Sequence, residues 1–282
     1  ALAITVAAAP IATSELTGWV VDAHGPVGGA TVRVQATTNS TVTAADGTFT
    51  LSGLVEGVPV TVSAWKHSYY CAKVENVVPP ASGIGLTLRL YQTNDNPDYP
   101  WIAPAGENSC ASCKEAVTQI WLDNDLHAGA GTNPRFFSLY NGTDLTATEV
   151  LSPGYKLDFP GTAGNCATCH APGAAVDAPF ATDMNLLEGV DRDYGIHCDF
   201  CHKVADVYLD PATGRPYLNA PGVLSMDVRR PFPESERYQL FFGSFDDDNV
   251  PEEDTYLPLI TRSQWCAPCH QFSFWGTPIY QS

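Results

Sequence analysis

Between Ser14 and Tyr91 the chain alternates apolar and polar residues in short runs, TGWVVDA, ATVRVQATT, TFTLSGL, PVTVSAW and IGLTLRLY. Alternation with a period of two puts every second side chain on one face, the pattern of a strand buried on one side. The runs are separated by HGPVGG, AADG and EGVP, where Gly tolerates positive φ and Pro fixes its own; Asp46-Gly47 is a strong tight-turn pair. Short strands at this regular spacing predict an antiparallel β-sandwich over residues 14–93. Ahead of it, residues 1–13 carry Leu2, Ile4 and Val6 alternating with Ala and Thr, and read as a strand-like arm clamped against something.

Past Thr93 the periodicity fades into Pro, Gly, Asn and Asp, so residues 94–282 form a second domain with a different grammar. Only short helices are predicted, around Cys110–Asn124 and Phe136–Tyr140, with turns at the cysteine motifs. Ordering a backbone costs roughly 1 to 2 kcal/mol per residue, and side chains patterned so weakly do not offset it. Something besides side chains must supply this domain's core.

Composition narrows the function classes. The longest apolar stretch, Ala1 to Ala12, is broken by Thr5 and Pro10 and falls short of the ~18 residues that cross a bilayer, so no membrane span is expected. Lys plus Arg total 14 against 31 Asp plus Glu, a formal charge of −17, which repels phosphate backbones and excludes nucleic acid as a natural partner. Almost all of that charge lies past residue 93, where 26 acids face 10 bases. The chain opens on Ala1 with small, weakly apolar residues and no basic run, and reads as a processed, exported chain.

Eight of the nine cysteines fall in four C-x-x-C pairs, Cys110/Cys113, Cys166/Cys169, Cys198/Cys201 and Cys266/Cys269, and three of the pairs are followed at once by His170, His202 and His270. C-x-x-C-H is the signature of c-type haem attachment. Two thiols three residues apart can each form a thioether with one edge of a porphyrin, and the next side chain reaches the iron. Four C-x-x-C pairs can also bind two zinc ions, but zinc gives no reason for a histidine after the second cysteine three times. Redox disulfides use C-x-x-C too, typically within a thioredoxin-like βαβ unit that this sequence lacks. Cys71, in SYYCAKV, reads as a small buried strand residue.

Four six-coordinate irons need eight axial ligands. The seven histidines, His24, His67, His127, His170, His197, His202 and His270, with Lys114 make eight, while the chain has only two methionines. Position makes His170, His202 and His270 proximal and leaves His127, His197, His24 and His67 as distal candidates. His197 directly precedes Cys198 and is better placed to ligate a neighbouring haem than its own. His24 and His67 lie in the β-domain and are either iron ligands or surface histidines. Lys114, in CASCK, is either a deprotonated proximal ligand, which requires burial and the metal's charge to lower its pKa, or a solvated side chain.

The order G-x-V-x-D-x-x-G-P-V-x-G-A-x-V from Gly18, followed by D-G-x-F, resembles the carboxypeptidase regulatory-like, transthyretin-like β-sandwich, an accessory domain without catalytic function. The remainder resembles multihaem c-type cytochromes. Blocks NDNPDYPWIAP, NPRFFSLYNGTD, GIHCDFCHKV and WCAPCHQFSFWGTPIYQS are similar to the amino-terminal part of larger members carrying the same β-domain, and this chain stops at Ser282, as a tetrahaem form or as a fragment. His127, one short helix past the first pair, resembles the distal histidine of the hydroxylamine-oxidoreductase type. The C-x-x-C-K motif resembles that of multihaem nitrite reductases, which implies a reductase of nitrogen or sulfur oxyanions or hydroxylamine at Lys114 as the alternative function. Resemblance to extracellular tetrahaem cytochrome filaments implies copies joined head to tail by an axial histidine from the next subunit.

The fold expected is therefore an all-β, transthyretin- or Ig-like sandwich followed by a loop-rich, mostly irregular multihaem domain with short helices. With every iron closed by protein ligands the function is electron transfer, to redox partner proteins or extracellular acceptors, at the cell surface or beyond it, or in the periplasm if soluble. The acidic run FDDDNVPEED, from Phe245 to Asp254, reads as a solvated loop, with Ca2+ binding as the alternative.

Overall fold

Leu16, Gly18 and Val20 alternate with outward-facing residues along Thr13–Asp22, and in the computed structural model this segment is the central strand of the first sheet. Residues 13–124, 126–233, 239–247, 254–272 and 280–281 are described; of the arm at 1–13, residues 1–12 lie outside them. The chain divides into two units, Ala1–Thr93 with Ser235–Leu257, and Asn94–Glu234 with Pro258–Ser282.

The first unit is a two-sheet sandwich of eight strands, β1 (Thr13–Asp22), β2 (Gly25–Pro26), β3 (Thr31–Val34), β4 (Ser40–Val42), β5 (Thr48–Val55), β6 (Val60–Trp65), β7 (Ala72–Val77) and β8 (Ala81–Thr87). One sheet sets β5 and β8 on either side of β1, with β2 folded back on its end; the other runs β4-β3-β6-β7, antiparallel throughout. The expectation of purely antiparallel pairing needs one correction. β8 runs parallel to β1, because the chain crosses between sheets after β7 and enters alongside β1 in the same direction. Gly18 faces Phe49 of β5 and Ile84 of β8 at once. A Cβ there would lie 2.0 Å from the Ile84 carbonyl oxygen, so glycine lets the three strands close. Leu16, Val20, Val32, Leu51, Val62 and Leu86 fill the space between the sheets, each contributing about 1.5 to 3 kcal/mol through burial.

The segment Ser235–Leu257 joins this first unit, although the sequence reading assigns it to the second domain. Its strands Phe241–Gly243 and Asp254–Tyr256 pair in parallel, and the Tyr256 ring meets Trp65 edge-on at 4.7 Å. Asp246, only 2% exposed, accepts from Arg33 Nε at 2.7 Å and from the Ser63 hydroxyl. Asp247 accepts from Gln35 Nε2 at 2.9 Å and Lys73 Nζ at 3.0 Å. Burial alone would raise the Asp246 carboxyl; the bonds from Arg33 and Ser63 outweigh it and hold the group below the usual carboxylate range. Asp246→Asn is expected to cost about 1.5 to 3 kcal/mol, the scale of hydrogen bonds to a charged group. Because the folded pKa is depressed, that stability is present above the unfolded pKa of about 4 and is lost as pH falls through the folded value. Urea midpoints of wild type and variant, measured from pH 7 downward, should therefore converge in acid; a constant gap would refute the assignment.

The second unit contains eight short helices, α1 (Ala111–Asn124), α2 (Pro134–Asn141), α3 (Tyr155–Asp158), α4 (Ala167–His170), α5 (Pro172–Ala175), α6 (Gly189–Tyr194), α7 (Cys198–Cys201) and α8 (Ser263–His270), among the described residues. α2 has a complete set of local signals: Asn133 caps it by accepting from Arg135 N and Phe136 N, Pro134 opens it, and Gly142 ends it at φ 68°. The buried apolar cluster here is thin. It comprises nine described residues, three of them alanines, against fourteen in the first unit. Meanwhile Val117, Ile120, Leu126, Leu139, Val150 and Leu186 are each at least 65% exposed, an amount of uncovered apolar surface that a self-sufficient core would have drawn inward.

Candidate cofactor site

All four cysteine pairs sit on single helical turns. In the first three, the amide of the residue after the second cysteine donates to the carbonyl of the first cysteine: Lys114 N to Cys110 O at 2.9 Å, His170 N to Cys166 O at 3.0 Å and His202 N to Cys198 O at 3.0 Å. The fourth lies inside α8, which ends on His270. Helical spacing puts residues three and four apart on one face, so each turn presents two thiols and the following side chain together.

The second unit brings these turns together in two couples. The Cys110 thiol lies near Cys198, and the Cys169 thiol near Cys269, each close enough to shift its neighbour's ionisation. Cys201 also lies close enough to Cys269 to push its thiol upward electrostatically. Close chain approach depends on glycine: a Cβ on Gly222, whose φ is +58°, would fall 2.0 Å from Thr168 O and 3.0 Å from Cys169 Sγ. A cavity of about 450 Å³ opens beside the second couple, lined by Cys166, Cys169, His170, Cys269, His270 and His127 among others. That is within the usual size range of cofactor pockets.

The two thiols of the first pair differ in exposure. Cys110 is half-buried against Cys198, but Cys113 is exposed. The physical reason lies in α1, whose residues from Ser112 to Val117 all face solvent and whose helical path breaks at Lys114, immediately after Cys113. Cys113 thus keeps its helical spacing from Cys110, its amide donating to the Cys110 carbonyl at 3.3 Å, without joining the cavity that Cys166 and Cys169 line. Cys266, on α8, is exposed as well, while its companion Cys269 meets Cys169.

His170 faces Phe136, with ring centroids 4.1 Å apart and planes inclined by 29°. Burial pushes its imidazole down to about 4, which keeps it neutral, the state in which imidazole ligates metals. His270 is lowered by burial and by nearby His127; the two rings are 6.0 Å apart, nearly perpendicular at 86°. His202 is partly buried at the end of α7. His197 is fully buried: its Nδ1 accepts from Phe200 N at 3.1 Å, capping α7, and its Nε2 lies 3.4 Å from Asp191 Oδ1 with no hydrogen-bond partner. Lys114 is exposed, with φ −126° and ψ 46° at the break in α1. His24 and His67 are exposed on the first unit.

These observations fit covalent haem: paired thiols on one turn, neutral imidazoles beside them, a cofactor-sized cavity, and a buried imidazole nitrogen with no hydrogen-bond partner. Among the described residues no group of three His, Cys, Asp or Glu side chains is placed to hold a metal ion. Cys71 is buried, its amide donating to Asp254 O at 2.9 Å. In the acidic run, Asp246 and Asp247 are taken up by basic and hydroxyl partners, and residues 248–253 lie outside the described residues.

Two side chains inside the third motif are not singled out by the sequence reading. Asp199 and Lys203 are both fully buried, with Nζ 2.5 Å from Oδ1. Ile102 N donates to the other Asp199 oxygen at 2.8 Å, and Lys203 Nζ lies 5.2 Å from the centre of the Tyr99 ring. Burial pushes the Lys203 ammonium down, against the pull of Asp199. Their i, i+4 spacing across one turn is the available signal. Buried Arg230 similarly bridges Asp95 and Asp177, at 2.5 and 2.7 Å.

The fold thus defines a two-sheet β-domain joined to a helical, cysteine-rich unit in which, among the described residues, no helix is long and apolar enough to cross a membrane. Residues 15–90 match the carboxypeptidase regulatory-like domain. No curated protein matches the chain. Among solved structures, 28% of it is similar to 58% of a chain from a mutant type II cohesin-X-dockerin complex of Acetivibrio cellulolyticus, at 21% identity and a TM-score of 0.25. Another 26% match covers 96% of the C-terminal domain of the PapC usher, at 20% identity and 0.21. A DUF3823 family protein from Parabacteroides merdae is matched over 28% of this chain and 47% of its own, at 17% identity and 0.21.

Proposed function

We propose that this chain is an exported tetrahaem c-type cytochrome that carries electrons, with one haem on each cysteine pair. The observation that carries the reading is that the four cysteine turns lie beside one another in twos, Cys110 near Cys198 and Cys169 near Cys269. Cofactors attached to turns this close would stand within electron-hopping range of one another. When bound, haem supplies a one-electron couple at iron. The chain's own contribution is to hold the thiols, to keep His170 and His270 neutral by burial, and to fix the third turn through the buried Asp199–Lys203 pair. With Cys113 and Cys266 both exposed, a haem held at the first or the fourth pair would have one thioether at the surface. The finer reading is a head-to-tail extracellular filament, supported by the exposure of His24 and His67, which leaves both imidazoles accessible to the iron of another copy.

Intact mass and the reduced absorption spectrum test the first claim. The expected result is polypeptide plus four porphyrins with low-spin bands. The bare polypeptide mass, or that mass less the hydrogens of cross-motif disulfides, would overturn it. Electron micrographs of concentrated protein should show fibres that shorten or vanish in His24→Ala or His67→Ala; single particles throughout would refute the filament alone.

A further inference from the structure

His127 and His270 reach the same cavity from opposite ends of the second unit's sequence. His127 lies in the 3-10 turn Leu126–Gly129, whose position is fixed by Ala130 N and Ile196 N donating to the His127 carbonyl at 3.1 and 3.4 Å. His270 ends α8, one residue after Cys269, and both line the cavity beside His127. Their ring centroids are 6.0 Å apart. Two imidazoles bound to opposite sides of one metal, each nitrogen roughly 2 Å from it and about 1 Å in front of its ring centre, have centroids about 6 Å apart.

We infer that His127 and His270 are the two axial ligands of a single iron, that of the haem on Cys266 and Cys269; this rests on reading the cysteine pairs as haem attachment sites. Chain order and spatial order then differ. The histidine following the first cysteine pair serves the fourth haem, and α1 ties the two haems together. Since Cys169 lies near Cys269, the fourth haem would also stand beside the second, as the junction of the set.

The test uses the full, haem-loaded chain and reads spin state by electron paramagnetic resonance. His127→Gly should retain four haems, convert one of them to high spin, and return it to low spin on addition of imidazole. In a Cys266→Ala/Cys269→Ala background, which carries three haems, the same His127→Gly change should produce no new high-spin signal. A new high-spin haem in that background, or none in the four-haem protein, overturns the pairing while leaving the haem reading intact. Absence of haem from the wild-type protein overturns both. If the glycine variant does not accumulate, His127→Met is measured instead: one haem should gain a methionine-to-iron absorption band and a raised midpoint potential, and an unchanged spectrum would refute the pairing.

Discussion

Made in cells that lack covalent haem attachment, the chain is expected to fold its first unit and leave the second without fixed packing. The first unit has an apolar interior closed by two sheets, and the segment that completes it brings Asp246 to Arg33 and Ser63. The buried residues of that packing all belong to the first unit. The second unit has a cluster of nine buried apolar residues, three of them alanines, and helices such as α4 and α7 only four residues long. Helices of one turn have no independent stability, because nucleation costs more than their few hydrogen bonds return. They persist where packing holds them, and exposed Val117, Ile120, Leu126 and Leu186 mark apolar surface that other side chains do not cover. Hydrogen exchange of the haem-free chain should find slow amides in β1, β3 and β6 and unprotected ones in α4, α7 and α8. Slow exchange in α4 and α8 without haem would show that side chains suffice, and the cofactor-as-core idea would fail.

What sequence makes legible follows the range over which each signal acts. Alternation marks β1, β5 and β6, and Asp46-Gly47 marks the turn before β5, where the Asp46 carboxylate accepts from Thr48 N and its hydroxyl. The helices near Cys110 and Phe136 emerge as α1 and α2 because cysteine spacing and an Asn-Pro start are local features. β7 escapes: its AKVENV run lies at the edge of its sheet with Lys73, Val74, Glu75 and Asn76 all partly or fully exposed, so burial leaves little pattern. The role of Asp246 escapes for a different reason. A run of acids looks solvated from sequence, and its partners Arg33 and Ser63 lie about 200 positions away, beyond the reach of any local pattern. Within the cofactor site the thiols and their adjacent histidines are legible one motif at a time. Which turn meets which is not, nor is the exposure of Cys113 beside a half-buried Cys110, since both depend on tertiary contacts such as Cys110 with Cys198.

Lys203→Met should destabilise the third attachment turn by about 3 to 5 kcal/mol, the cost of leaving a buried carboxylate without its counter-charge. Both groups are fully buried, and Asp199 has one oxygen on Lys203 Nζ at 2.5 Å and the other on Ile102 N at 2.8 Å. Methionine keeps the unbranched stem of lysine out to Cε, so the loss is chiefly electrostatic rather than a cavity. The double change Asp199→Leu/Lys203→Met should recover much of the stability, because it removes the stranded charge, although Ile102 N then loses its acceptor and recovery stays incomplete. Amide exchange in α7 of the haem-loaded protein reads the effect where it arises: protection at Cys201 and His202 should fall steeply in the single variant and return substantially in the double. Equal protection in wild type and the single variant would mean that the pair is not closed off from water. A double variant worse than the single would mean that Asp199 holds the turn chiefly through Ile102, with the charge of Lys203 secondary.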